Sequence, residues 1–280
     1  MQVDSVDKFQ KPRIADIWAN WWDTQFFTAH PPTAALYRRL GMDSRTMLSC
    51  EDMLSEAKDG GVERILISAT AFPGSPVCND VILRIVERAP DILTGCASVD
   101  PRDGINAVRE LRRAVRDYGF RGLKLLPFLY DEAPNSRIYY PLYAECVELG
   151  IPVLVLTGHT AVLARSEVGR PGHLDDVALF FPDLTIIAGH AGYPWTDELI
   201  SLAWKHANVY IETSGHRPKY FPPSLVHFLN SYGQNKVLFG TGYPLMNYAQ
   251  PVAEMQALGL RPEALSKVCW ENAARLWGWQ

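Results

Sequence analysis

His190, in the run Gly189-His190-Ala191-Gly192-Tyr193, is the residue best fitted to proton transfer. An imidazole titrates near neutrality, so it can give or take a proton at physiological pH. The run follows a short apolar segment, 184–188 (LTIIA), where a strand would hand over to a loop. Other candidates gather at the ends of similar segments. His159 follows 152–156 (PVLVL) and Asp23 follows 13–18 (RIADIW); either could be a second acid or base. Asn20 and His216 hold comparable places and could orient a substrate. Arg165 and Arg170 lie beyond His159, and a guanidinium can hold a carboxylate through two parallel hydrogen bonds. Lys124, within 122–126 (GLKLL), is expected to point inward, toward Glu212 or a substrate anion. Trp18, Trp21, Tyr193 and Tyr243 add rings against which a flat ligand could lie. The same rings could instead plug the mouth of the fold or form an interface between two copies. Ser214 stands close to His216, but without an acid in view it gives no triad signal.

These residues need a scaffold that collects strand ends. Eight short apolar runs recur along the chain: 13–18, 64–68, 92–98, 122–126, 152–156, 184–188, 209–212 and 236–239. They are nearly continuous in apolar character, as parallel strands buried on both faces are. Helical patterns separate them. In 104–118 (GINAVRELRRAVRDY), Ile105, Val108, Leu111 and Val115 share one face and the arginines lie opposite. The segment 141–149 opens on Pro141 and stops at Gly150, as a helix would. Further helices are expected over 174–181 and 197–206. Alternating strands and helices over 280 residues fit an α/β fold of the (β/α)8 TIM-barrel type, usually about 250 residues long, as one domain over 1–280. A doubly wound open sheet is the competing fold, but no glycine-rich phosphate turn follows an early strand. Two stretches break the rhythm. Residues 19–60 form an aromatic-rich insertion after the first strand, and 157–183 form a second long connection. Both would lie over the strand ends where barrel active sites are built.

Composition narrows the partners. Lys and Arg total 27 and Asp and Glu 31, for a formal charge of −4. That excludes binding to nucleic acid by bulk basicity and gives no polybasic membrane anchor. The first thirteen residues carry no apolar core of a secretory signal, and 151–164 is too short and too polar to span a bilayer. The five cysteines are scattered, with no CxxC pair. The expectation is a cytoplasmic protein with a small-molecule substrate, no nucleic acid and no membrane partner; a homodimer is one use for its aromatic surface. There is no GxSxG, P-loop, GxGxxG or HExxH motif.

A series of stretches in order then carries a resemblance: 97–127 (ASVDPRDGINAVRELRRAVRDYGFRGLKLLP), 142–155 (LYAECVELGIPVLV), 175–195 (DDVALFFPDLTIIAGHAGYPW), 208–214 (NVYIETS), 236–244 (KVLFGTGYP) and 271–278 (ENAARLWG). The chain resembles the amidohydrolase-related family, often labelled amidohydrolase 2. The resemblance implies a (β/α)8 barrel and the activity of a hydrolase or an aromatic-acid decarboxylase. It implies that His190, ending strand six, acts as acid or base. The chain departs from the family at its metal ligands. The strand-one His-x-His position reads Trp18-Ala19-Asn20, the strand-five His position reads Leu156, and the Asp of Gly-Thr-Asp-Tyr-Pro reads Gly242. Trp, Leu and Gly side chains cannot ligate zinc, and Asn is a poor ligand. The expectation is therefore no metal and no cofactor. It is a metal-independent hydrolase of a small aromatic or unsaturated carboxylic acid or lactone, with His190 as general acid/base. Non-oxidative decarboxylation of a similar acid, and ligand binding without catalysis, are the alternatives. A rearranged metal set of His159, His190 and Asp23 is a weaker third.

Overall fold

A computed structural model of the chain describes residues 12–42 and 49–280. The polar start of the chain and residues 43–48 of the expected insertion lie outside the described residues. β1 (Ile14–Asn20), β2 (Val62–Ser68) and β3 (Leu93–Cys96) pair in parallel in that order. β4 (Leu123–Leu125), β5 (Val153–Leu156), β6 (Ile186–Gly189), β7 (Val209–Glu212) and β8 (Val237–Leu238) continue the same way. A parallel bridge between Ala97 and Leu123 joins the two runs. On the far side Ile17 N donates to Phe239 O at 3.2 Å and Asn20 N to Tyr243 O at 2.7 Å. The ring is thereby closed, and its strands follow one another in chain order as in a (β/α)8 barrel.

Each strand overlaps one of the expected runs, with β2 beginning earlier, at Val62, and β6 ending later, at Gly189. β1 extends past 18, because Ala19 and Asn20 pair with Ile67 and Ser68 of β2. Twelve helices are described: α1 (Thr24–Ala29), α2 (Pro31–Arg39), α3 (Cys50–Gly60), α4 (Asn79–Val86), α5 (Ile105–Arg116), α6 (Tyr140–Leu149), α7 (His173–Phe180), α8 (Thr196–Lys205), α9 (Pro223–Leu229), α10 (Ala249–Gln256), α11 (Pro262–Ser266) and α12 (Asn272–Trp277). α6 carries Pro141 in its first turn and ends at Gly150 in the left-handed conformation, which satisfies its last carbonyls without a Cβ penalty. α5 buries Ala107, Val108, Leu111 and Ala114. Ile105 was expected on that face but is 59% exposed, because it begins the first turn, ahead of the buried stripe. Among the described residues no helix is long and apolar enough to cross a membrane.

The stretch expected as an insertion over 19–60 is mostly helical. A capping box of Ser49 and Asp52 opens α3, which packs on β2 and α10 as the connecting helix between β1 and β2. Only α1, α2 and the residues before them lie near the barrel mouth. Alternate residues of successive strands, among them Ala15, Ile17, Leu66, Cys96, Leu154, Ile187 and Leu238, form a packed group inside the ring. Three ionisable side chains are buried with them: Asp16, Lys124 and Glu212.

Candidate active site

A cavity of about 120 Å³ opens among the carboxyl ends of the strands. Its walls are apolar, with Trp18, Trp22, Leu36, Phe128 and Leu156 prominent, and its polar groups are Asn20, Thr160 and three histidines, His159, His190 and His216. A wider depression of about 900 Å³ lies at the other end of the barrel, beside Arg13, Arg64 and Asp91. In barrels of this kind that end serves stability and the carboxyl end serves chemistry.

His190 begins the turn after β6, and its backbone is strained. His190 and Ala191 have φ of 62° and 50°, a region costly for residues with a Cβ. Such strain persists only where surrounding contacts fix it. Here Nδ1 lies 2.8 Å from Ser214 Oγ, and the ring packs on Gly215, where a Cβ would come within 2.8 Å of Cγ. Ser214 Oγ donates to Glu212 Oε2 at 2.7 Å. Glu212 is fully buried and accepts from the backbone N–H groups of Ser214 and His190 as well. Both oxygens thus take N–H donors, the pattern of a carboxylate.

That direction fixes the tautomer of the histidine. Ser214 has one hydroxyl proton, and Glu212 takes it. Ser214 Oγ must then accept from His190 Nδ1–H. A neutral His190 keeps its lone pair on Nε2, which has no hydrogen-bond partner among the described residues. When Nε2 is protonated, the imidazolium charge is spread through Ser214 to the Glu212 carboxylate. Sequence reasoning set Ser214 aside because no acid was in view to complete a triad with the nearby His216. The signal it missed was the spacing of Glu212 and Ser214, which turns the serine back onto the strand-seven carboxylate.

The other candidate residues divide. Trp18, Asn20, His159 and His216 reach the cavity. His159 hydrogen-bonds Ser166 at 2.8 Å through Nδ1. Burial and the neighbouring His190 and His159 push His216 down to about 4, so it is neutral. Lys124 lies behind the wall and bonds Asn20 Oδ1 at 2.6 Å rather than Glu212, which Ser214 occupies. Trp21 packs at the edge of the core. Tyr193 lines a neighbouring hollow, its ring 4.8 Å from that of His216 and tilted by 53° to it. Tyr243 is buried and lies parallel to Tyr248 at 4.8 Å. Asp23 caps α1 by accepting Phe26 N–H at 2.8 Å, so its carboxylate is spent on a helix end. Arg165 pairs with Asp131, and Arg170 pairs with Glu198. Neither arginine lines the cavity. Trp22, read from the sequence as part of the aromatic cluster, does line the cavity, whereas Phe128 and Thr160 were not singled out; loop residues carry no periodicity that would have marked them.

A closed ring of parallel strands with a histidine at the carboxyl end of β6 is the architecture of an amidohydrolase-type barrel. The family model described as amidohydrolase matches residues 15–279, and the chain belongs to that family, whose members are enzymes. A gamma-resorcylate decarboxylase from Polaromonas is 22% identical over 274 residues, spanning 81% of this chain and 82% of its own length. An uncharacterised TIM-barrel protein from Bordetella bronchiseptica superimposes with a TM-score of 0.82 at 25% identity, covering 95% of this chain and 99% of that one. A dihydroxybenzoic acid decarboxylase from Polaromonas, solved with bound manganese and 2-nitroresorcinol, superimposes with a TM-score of 0.73 at 16% identity, over 95% of this chain and 97% of its own.

The residues at the corresponding centre do not fit a divalent ion. No group of three His, Cys, Asp or Glu side chains converges among the described residues. The Trp18 ring fills the space beside β6, close enough that a Cβ on Gly189 would come within 2.6 Å of it. Leu156 is apolar, and Gly242 offers no side chain at all. Asp23, required by the rearranged set, is the N-cap of α1, with its carboxylate turned to Phe26 N–H.

Proposed function

We propose that this chain is a carboxy-lyase acting on a small, flat carboxylic acid, with His190 as the proton donor. The observation that carries the reading is the His190–Ser214–Glu212 chain, which aims one imidazole nitrogen at an apolar cavity. The similarity to decarboxylases supports the choice of C–C cleavage over hydrolysis. In this reaction the C–C bond to the carboxylate breaks, and its electron pair stays on the ring carbon. His190 Nε2–H delivers a proton there, carbon dioxide leaves, and solvent returns the proton to Nε2. The apolar walls strip water from the carboxylate and so favour the loss of its charge.

The test is turnover of 2,6-dihydroxybenzoate and 5-carboxyvanillate, the acids named for solved relatives. Release of carbon dioxide, with one deuterium placed at the vacated carbon in D2O, is the expected outcome. His190→Asn should abolish it while the protein still melts cooperatively. Full activity in that variant would sink the role of His190. A second reading, ligand binding without turnover, is favoured by the Trp18 ring against Gly189, which fills space that chemistry would otherwise use. Tight binding of these acids with no product would select it.

A further inference from the structure

The two strand-one positions that depart from the family's ligand pattern meet on a third residue. Lys124 is 2% exposed. Its Nζ donates to Asn20 Oδ1 at 2.6 Å and to Ala19 O at 3.4 Å. It also lies 5.2 Å from the centre of the Trp18 ring. An amide oxygen, a carbonyl and a π face are neutral partners that an ammonium accepts. The buried carboxylates take their hydrogen bonds elsewhere, Asp16 from Thr241 and Glu212 from Ser214, and act on the ammonium only through their charge. Asn20 is held at both ends, because its Nδ2 donates to Tyr243 O at 2.9 Å. Among the described residues no lysine or arginine lines the cavity, and Arg165 and Arg170 are paired outside it. Lys124 is thus a cation one residue behind the wall, and both members of its cage, Trp18 and Asn20, form part of that wall.

We propose that Trp18 and Asn20 cage the Lys124 ammonium, that this cation excludes a divalent metal from the barrel centre, and that it draws a small carboxylate or phenolate into the cavity through the Asn20 amide. A charge behind a dry wall is felt more strongly than the same charge in water. The cage also spends the Asn20 oxygen on the ammonium, so strand one is left with no ligand to offer a divalent ion. Burial lowers the amine to about 8, so it keeps its proton at neutral pH.

The choice of anion rests on the carboxy-lyase reading, but the test reads metal content and binding rather than turnover, so either idea can fail alone. The intact protein is dialysed against manganese or zinc chloride, desalted and analysed by elemental mass spectrometry. Far less than one ion per chain is expected, and a stoichiometric ion overturns the proposal. Calorimetry then compares 2,6-dihydroxybenzoate with neutral resorcinol. The wild type should prefer the anion, and Lys124→Met should lower affinity for the anion about tenfold while sparing resorcinol. If Lys124→Met fails to melt cooperatively, Asn20→Leu, which keeps the ammonium and removes the amide, should show the same selective loss. Equal affinity of the wild type for both probes, or unchanged anion affinity in a folded variant, overturns it equally.

Discussion

The Trp18 ring lies against His190, with centroids 5.1 Å apart and planes tilted by 55°. The same ring presses on Gly189, where a Cβ would come within 2.6 Å of its far edge. Gly189→Ala is therefore expected to force the ring and the end of β6 apart. The cost should be about 1–3 kcal/mol in chemical denaturation, the usual range for overpacking a filled core. Turnover should fall with it, since His190 is the next residue. Wild-type stability in the variant would contradict the packing.

Ser214→Ala removes the acceptor that holds His190 Nδ1–H while leaving the imidazole in place. Lost acid–base assistance is worth roughly 10²–10⁴-fold when complete, and removal of a partner should cost only part of that. The distinctive reading is the pH profile. Without the path to Glu212 the imidazolium is less stabilised, so the alkaline limb, where the proton donor is lost, should move to lower pH. A profile identical to wild type would show that Ser214 only fills space.

The barrel itself was legible from the sequence because buried parallel strands write an unbroken apolar run, and each of the eight runs overlaps a strand. The mouth was legible only where residues sit on strand ends. His190 and Asn20 were found there by position alone. Arg165 and Arg170 looked equally able to hold a carboxylate, but nothing in one sequence shows that Asp131 and Glu198 reach across from other segments to claim them. Asp23 looked like an acid near the first strand; its N-cap role depends on where α1 begins, a boundary that residue types alone place loosely. Ser214 was legible as a residue and missed as a relay, because the direction it faces depends on β7 and the turn after β6 together.

Lys124 gives a stability prediction at alkaline pH. Burial lowers it from 10.5 to about 8, whereas the unfolded chain holds its proton to the ordinary value. Its contribution is fully present above the unfolded value and is lost as pH falls through the folded one. Relative to Lys124→Met, the wild type should gain up to about 3 kcal/mol between those two limits. Urea unfolding at both ends of the window measures it, and a flat difference would refute it.

Asp16 predicts the opposite slope in acid. Burial raises it from 3.8 to about 6, against the hydrogen bonds from Thr241 and Trp18 that pull it down. Its protonated form is favoured by folding, so the contribution is complete below the unfolded value and disappears as pH rises through the folded one. Relative to Asp16→Asn, the wild type should lose about 3 kcal/mol over that interval. Paired denaturation curves on either side of it decide the matter.

The seam between β1 and β8 has a bearing on how the molecule comes into being. Asn20 reaches Tyr243 across 223 positions of chain, and Asp16 reaches Thr241 across 225. A polypeptide emerging from the ribosome carries Trp18 and Asn20 long before the last wall of their cavity is synthesised. Until Tyr243 arrives, Asn20 has no carbonyl to hold its amide and Asp16 has no hydroxyl. Enclosure of the cavity in this sense waits for the eighth strand: a chain interrupted before residue 241 carries His159, His190 and His216 and still has no enclosed place around them.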